Sequence, residues 1–156
     1  MNTSQQKLLI LQTDKKLHNF SLLKNAAAPP SGWIRTIRSA LKMSLRQLGE
    51  RMGIAAQSVQ QMELREADGN ITLNTLREMG KALNMTLVYG FVPNEGSLDK
   101  TIEKQAERLA QSVVQRTANN MRLEAQGNSQ KRLKQAVQER TATIKNEMPR
   151  MLWDLR

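Results

Sequence analysis

Apolar residues recur at three- and four-residue steps along most of the chain. Short polar, glycine- or proline-containing stretches break the steps, and the pattern predicts a string of amphipathic helices. Residues 5–24 read as a first helix, with Leu8, Leu11, Phe20 and Leu23 at helical spacing, ended by AAAPPSG at 26–32. The period resumes at Trp33, where Ile34, Ile37 and Leu41 form a stripe that leaves Arg35 and Arg38 elsewhere. Ser44 is placed to cap a helix over LRQLGERM, Gly53 to stop it, and a third helix runs from about Ala56 through Glu63. READGN at 65–70 reads as a loop. Thr72 then caps LNTLREMGKALN, with Leu73, Leu76, Met79 and Leu83 turned inward. MTLVYGFVP at 85–93, rich in β-branched and aromatic residues and closed by Pro93, reads as a strand. From Ser97 a long helix carries Leu98, Ile102, Leu109, Val113 and Met121 up to an interruption at Gly127-Asn128. A last helix from about Gln130 carries Leu133, Val137, Ile144 and Met148 before Pro149.

The expected fold is therefore mostly α, with a helical core, one short β-strand and long N- and C-terminal helical extensions. Its divisions are an arm and linker at 1–30, a globular unit with closing strand at 31–93 and a helical extension at 94–156. A lone strand needs a partner, and the same strand of a second subunit would protect its edge. Leu87, Tyr89 and Phe91 on the strand, with Ile102, Leu109 and Val113 on the extension, are the expected homodimer interface.

Composition narrows the chemistry. Of 156 residues 39% are hydrophobic but only 3% aromatic, so the core must be built from aliphatic side chains and methionine. There is no cysteine, which excludes disulfides and thiolate chemistry. Near the start, LLIL is followed by Asp14 and is too short for a signal peptide or a membrane span, so a cytoplasmic protein without membrane partners is expected. Lysine and arginine number 24 against 14 acids, a net charge of +10, which attracts polyanions by releasing their condensed counterions. The excess is spread along the chain and does not locate a binding face.

The stretch from Ser44 to Glu63 locates it. Two short helices meeting at a tight angle need a small residue where they touch, a glycine in the turn with a hydrophobe after it, and buried residues locking the second helix. Gly49, Gly53, Ile54 and the pair Val59 and Met62 supply these in order. Ala56, Gln57, Gln60 and Gln61 then fall on the outer side of the second helix. A helix laid in the major groove reads bases from its N-terminal residues, and glutamine can bond adenine N6 and N7 together. Gln57 and Gln61, one turn apart, are the leading base readers, with Gln60 and Ala56 beside them. Ser58, Arg46, Arg65 and Ser44 are the candidate phosphate contacts.

This stretch and its flanks, about residues 33–92, resemble the lambda-repressor/Cro-like helix-turn-helix proteins, also called the xenobiotic-response-element type. The resemblance implies a DNA-binding core closed by the helix at 73–84. Two positions depart from the family pattern: Leu45 replaces the usual glutamine after the cap, and Ala55 stands where Ser or Thr often opens the second helix. A longer resemblance rests on PPSGWIRTIRSALKMSLRQLGERMGI, EADGNITLNTLREMGKALNMTLVYGFVP and the ending PRMLWDLR, which are similar to the mobile mystery protein A family. It implies a regulator encoded beside a Fic-domain partner, in an operon of toxin-antitoxin kind. Antitoxins that block a Fic ATP site carry Ser or Thr, Glu four residues later, then Gly or Asn. The approach to that pattern here is Thr143 and Glu147, followed by Met148.

The reading that follows is a sequence-specific transcriptional regulator, a dimeric autorepressor on an inverted-repeat operator of double-stranded DNA, with no cofactor. Two rivals differ in class: an antitoxin or adaptor that binds a partner protein through its helical tail, and a sequence-indifferent DNA binder. No enzyme is expected. The acids Glu50, Glu63, Glu66, Asp68 and Glu78 are scattered, and Glu63 is expected to pin its helix through Arg35 or Arg38. His18, the single histidine, has no ligand cluster around it and no metal site is expected. Trp33 and Trp153 are read as core or docking residues.

Overall fold

The structure, a computed structural model, describes residues 2–123 and 130–154. It is mostly helical, as the periodicity predicts. The helices are α1 (Thr3–His18), α2 (Trp33–Ala40), α3 (Leu45–Met52), α4 (Ala56–Ala67), α5 (Leu73–Ala82), α6 (Leu98–Leu123) and α7 (Gln130–Glu147), with 3-10 turns at Ser21–Asn25 and Arg150–Trp153. The helix interruption expected at Gly127-Asn128 and the side chain of Met121 lie outside what is described.

Two compact units result: residues 25–90, and residues 1–24 together with 91–156. In the first, Ile34, Leu48, Val59, Met79 and Leu83 are buried around one centre, with Ile37, Met52, Ile54, Met62 and Leu76 against it. In the second, Ile102, Ala106, Leu109, Ala110, Ile144 and Leu152 form the core, with Ile10, Val113, Val137 and Met148 packed on it. The alanines let α6 and α7 approach closely, and aliphatic side chains fill both cores, as the scarcity of aromatics requires.

Local chemistry sets the boundaries. Asn2 caps α1 in a reciprocal pair with Gln5, which starts that helix earlier than its apolar residues indicate. The helix also ends earlier, at His18, so Phe20 lies beyond it and Leu23 in the 3-10 turn. The N-terminal amides of α6 are met across 84 residues of sequence: the Asp14 carboxylate on α1 accepts from Leu98 N–H at 2.7 Å and Asp99 N–H at 3.3 Å. Lys145 on α7 closes the same end of the unit, donating to Asp99 and Glu103 at 2.8 Å each. Those two hydrogen bonds raise its pKa above the usual lysine value against the opposing effect of burial.

The structure corrects the expected β-strand. Residues 85–93 are irregular, and the described residues contain no strand. The composition favours extension, but a strand is completed by a neighbour that takes up its N–H and C=O groups, and no described segment does so. Val88, Tyr89 and Phe91 are accordingly exposed. Leu73, expected to point inward, is exposed at the first position of α5, and neither Trp33 nor Trp153 lies in a core.

Candidate nucleic-acid interface

α3 and α4 form the helix-turn-helix, and its turn is built as the sequence requires. Ser44 Oγ accepts from Gln47 N–H at 3.1 Å while Ser44 N–H donates to Gln47 Oε1 at 2.7 Å, a reciprocal cap that fixes the start of α3. Gly53, at φ 69°, ends α3 in the left-handed region, and Ile54 N–H donates back to Gly49 C=O at 2.9 Å. Gly49 is small for a measurable reason: a Cβ there would sit 2.6 Å from the Ile54 carbonyl oxygen. The two helices can meet at this angle only without that atom.

Behind the turn, α4 is held by burial and by charge. Leu48 and Val59 are fully buried and Met62 partly so. Arg38 on α2 reaches Glu63 on α4 through two parallel bonds, Nε to Oε1 at 2.6 Å and Nη2 to Oε2 at 3.0 Å, and spends Nη1 on the Met43 carbonyl at 2.9 Å. Of the two arginines expected for this role, Arg38 fills it. Glu63 is only 4% exposed, and the bond to it raises the Arg38 pKa despite partial burial.

A second carboxylate on α4 was invisible in the sequence pattern. Glu66 accepts from Trp33 N–H and Ile34 N–H, both at 2.9 Å, and so caps α2 from another helix. Gly32, the residue that should cap α2, has no side chain to do it, and a Cβ there would come within 2.8 Å of Glu66 Oε2. An uncapped helix start next to glycine was the available signal that an acid must arrive from elsewhere. α4 itself runs to Ala67, past the point where READGN suggested a loop.

With Val59, Met62, Glu63 and Glu66 committed inward, the opposite face of α4 is free for contact. Gln57, Ser58, Gln60, Gln61 and Arg65 are exposed and Ala56 is half-buried. Gln57 and Gln61 share the outward direction with Leu64, which is 45% exposed. On α3, Ser44 is exposed beside the turn that precedes the helix. Arg46 is exposed in a pair with Glu50 at 3.1 Å, a surface interaction that water and salt weaken and a phosphate can replace. The structure thus brings the four expected base-reading positions onto one helix face. Arg46 and Ser44 lie on or before α3, Ser58 and Arg65 on α4.

The expected dimer residues part company. Ile102 and Leu109 are buried in the core of their own unit and Val113 packs against it, whereas Leu87 is half-buried and Tyr89 and Phe91 are exposed. No described helix is long and apolar enough to cross a membrane.

A rigid pair of short helices with a polar, exposed second helix is the architecture of a DNA-binding helix-turn-helix domain. Comparison with known families agrees: residues 34–89 match the helix-turn-helix family of Cro/C1 type, a DNA-binding regulatory family. No curated protein and no solved structure matches the chain.

Proposed function

We propose that the protein is a sequence-specific transcriptional regulator that binds double-stranded DNA through α4 as a homodimer. The carrying observation is the division of α4 into a face locked by Val59, the Arg38–Glu63 pair and Glu66, and a face that offers Gln57, Gln60 and Gln61 to solvent. A helix fixed on one side and amide-rich on the other suits base-edge readout. Gln57 and Gln61 read bases, Ala56 and Gln60 flank them, and Ser58, Arg46, Arg65 and Ser44 grip phosphates.

Dimerisation through residues 85–91 is supported by their composition and exposure. A second copy packed about a two-fold axis would cover Val88, Tyr89 and Phe91. Two α4 helices so related would read half-sites about 34 Å apart, an inverted repeat. Occupation of such an operator excludes polymerase, so autorepression in the cytoplasm is the regulatory reading. That the operon includes a Fic-domain partner rests on the sequence resemblance alone.

A second reading is favoured by a different observation. Leu8, Leu9 and Leu11 on α1, and Leu22 after it, are exposed, which fits a helical unit that binds a partner protein as an antitoxin or adaptor.

The test is a fluorescence-anisotropy titration against the protein's own upstream region and a scrambled duplex at about 150 mM salt. A specific regulator binds the native sequence roughly a thousandfold tighter. Gln57→Ala and Gln61→Ala each cost about 1–3 kcal/mol there and little on the scrambled duplex. Equal affinity for both duplexes refutes sequence-specific regulation.

A further inference from the structure

Residues of α1, α6 and α7, within the unit formed by residues 1–24 and 91–156, line a cavity of about 370 Å³. The size suits a small molecule. Its apolar lining comes from Ile10 and Leu11 on α1, Ile102 on α6 and Met148 just after α7. Met148 takes φ 46°, in the left-handed region that a methionine enters at a cost, and its N–H donates to Ile144 C=O at 2.8 Å. Met148 therefore lines the cavity from a backbone conformation that its surroundings must stabilise.

The charged groups around the cavity differ in what they already hold. Asp14 is taken up by the two amides that open α6, and Asp99 by Lys145, which also holds Glu103. Lys7 is different. Its ammonium donates to the neutral Asn146 side-chain oxygen at 3.1 Å and makes no ion pair among the described residues. An ammonium carries three donors, so Lys7 keeps hydrogen-bonding capacity and an unneutralised charge beside an apolar surface.

We propose that this cavity binds a small organic monoanion, its carboxylate on Lys7 and its apolar body against Ile10, Leu11, Ile102 and Met148. Such a ligand bridges α1, α6 and α7. It binds the folded unit only and therefore stabilises it in proportion to its concentration. The site lies outside the helix-turn-helix, and its existence is independent of the DNA-binding reading.

Hexanoate is the probe, with hexan-1-ol and hexylammonium as matched neutral and cationic controls, titrated calorimetrically into the full-length protein and followed in parallel by thermal unfolding. Hexanoate is expected to bind with Kd below about 1 mM and to raise the unfolding temperature. Both controls should bind at least about tenfold more weakly, since a charge-assisted hydrogen bond is lost or turned into repulsion. Lys7→Gln, at an exposed position, should weaken hexanoate about tenfold or more and leave hexan-1-ol unchanged. Leu11→Asp, also at an exposed position, should abolish hexanoate binding by placing a like charge on the apolar surface. Equal binding of all three probes, full hexanoate binding by Lys7→Gln, or no heat and no stabilisation at about ten times the expected Kd would each overturn the proposal.

Discussion

Removing one partner of the Arg38–Glu63 pair should cost far more than removing both. Arg38→Met leaves the Glu63 carboxylate, 4% exposed, without the two bonds of 2.6 and 3.0 Å that satisfy it, and orphans the Met43 carbonyl as well. Breaking a buried pair in this way costs about 3–5 kcal/mol. Glu63→Leu strands the guanidinium instead, at similar or somewhat lower cost, because the Arg38 side chain keeps 13% exposure and its bond to Met43. The double variant Arg38→Met/Glu63→Leu buries no charge and fills the space with apolar atoms, so its cost should fall to about 1 kcal/mol, or below zero. Against a total stability of about 5–15 kcal/mol, either single loss is severe: a domain of about 60–100 residues loses roughly 4–8 °C of melting temperature per kcal/mol. The assay is urea unfolding followed by Trp33 fluorescence in a Trp153→Phe background, because Trp33 belongs to the unit that contains the pair and Trp153 to the other. The coupling energy from the four-variant cycle should be several kcal/mol. Single losses below about 1 kcal/mol that add in the double variant, as uncoupled sites do, would refute the claim that this pair pins α4.

Three further outcomes follow from the geometry. Gly49→Ala should destabilise the 25–90 unit by about 1–3 kcal/mol through overpacking, because its Cβ meets backbone at 2.6 Å; urea unfolding with unchanged or raised stability would mean that the turn yields. Glu66→Gln should lower stability by about 1 kcal/mol or more, since a neutral amide accepts less strongly from the Trp33 and Ile34 amides than a carboxylate does; hydrogen exchange at those two amides should quicken in the variant. Lys145 has a folded pKa above its unfolded value. Its stabilising contribution is therefore complete below the ordinary lysine pKa of about 10.4 and lost as pH rises through the folded value. Lys145→Met should flatten that alkaline limb in a thermal-melt series, and an unaltered limb would count against the Asp99–Lys145–Glu103 cluster.

Legibility in the sequence followed the range of the interactions. Elements fixed by neighbours in sequence could be read directly: Ser44 at the start of α3, Gly53 at its end, Thr72 before α5, and the inward pair Val59 and Met62 all act within a few residues of themselves. Gly49 was legible because one residue type alone tolerates that contact. Glu66 and Asp14 were not, since each caps a helix far away in the chain and nothing local to either records the partner. The irregular course of 85–93 belongs to the same class: propensity is written in the residues, but a strand depends on a neighbour elsewhere. Leu73 misled because the first turn of a helix lies at the margin of its buried face. The outer face of α4 was readable by subtraction, once the buried residues of that helix had been assigned.

The long-range cap at Asp14 also makes a statement about order in time. Contacts within residues 25–90, such as Glu66 to Trp33 across 33 residues, close shorter loops than the cap on α6 does across 84, and shorter loops cost less entropy to close. The cap on α6 requires both ends of a much longer stretch, so the unit built from 1–24 and 91–156 cannot close until the helix-turn-helix has left the ribosome. The DNA-reading domain is thus an excursion inserted between two halves of another fold. During synthesis α1 waits with Ile10, the residue it packs on the core of this unit, uncovered until α6 arrives, and a chain arrested after residue 90 carries a finished helix-turn-helix and an N-terminal helix with no partner.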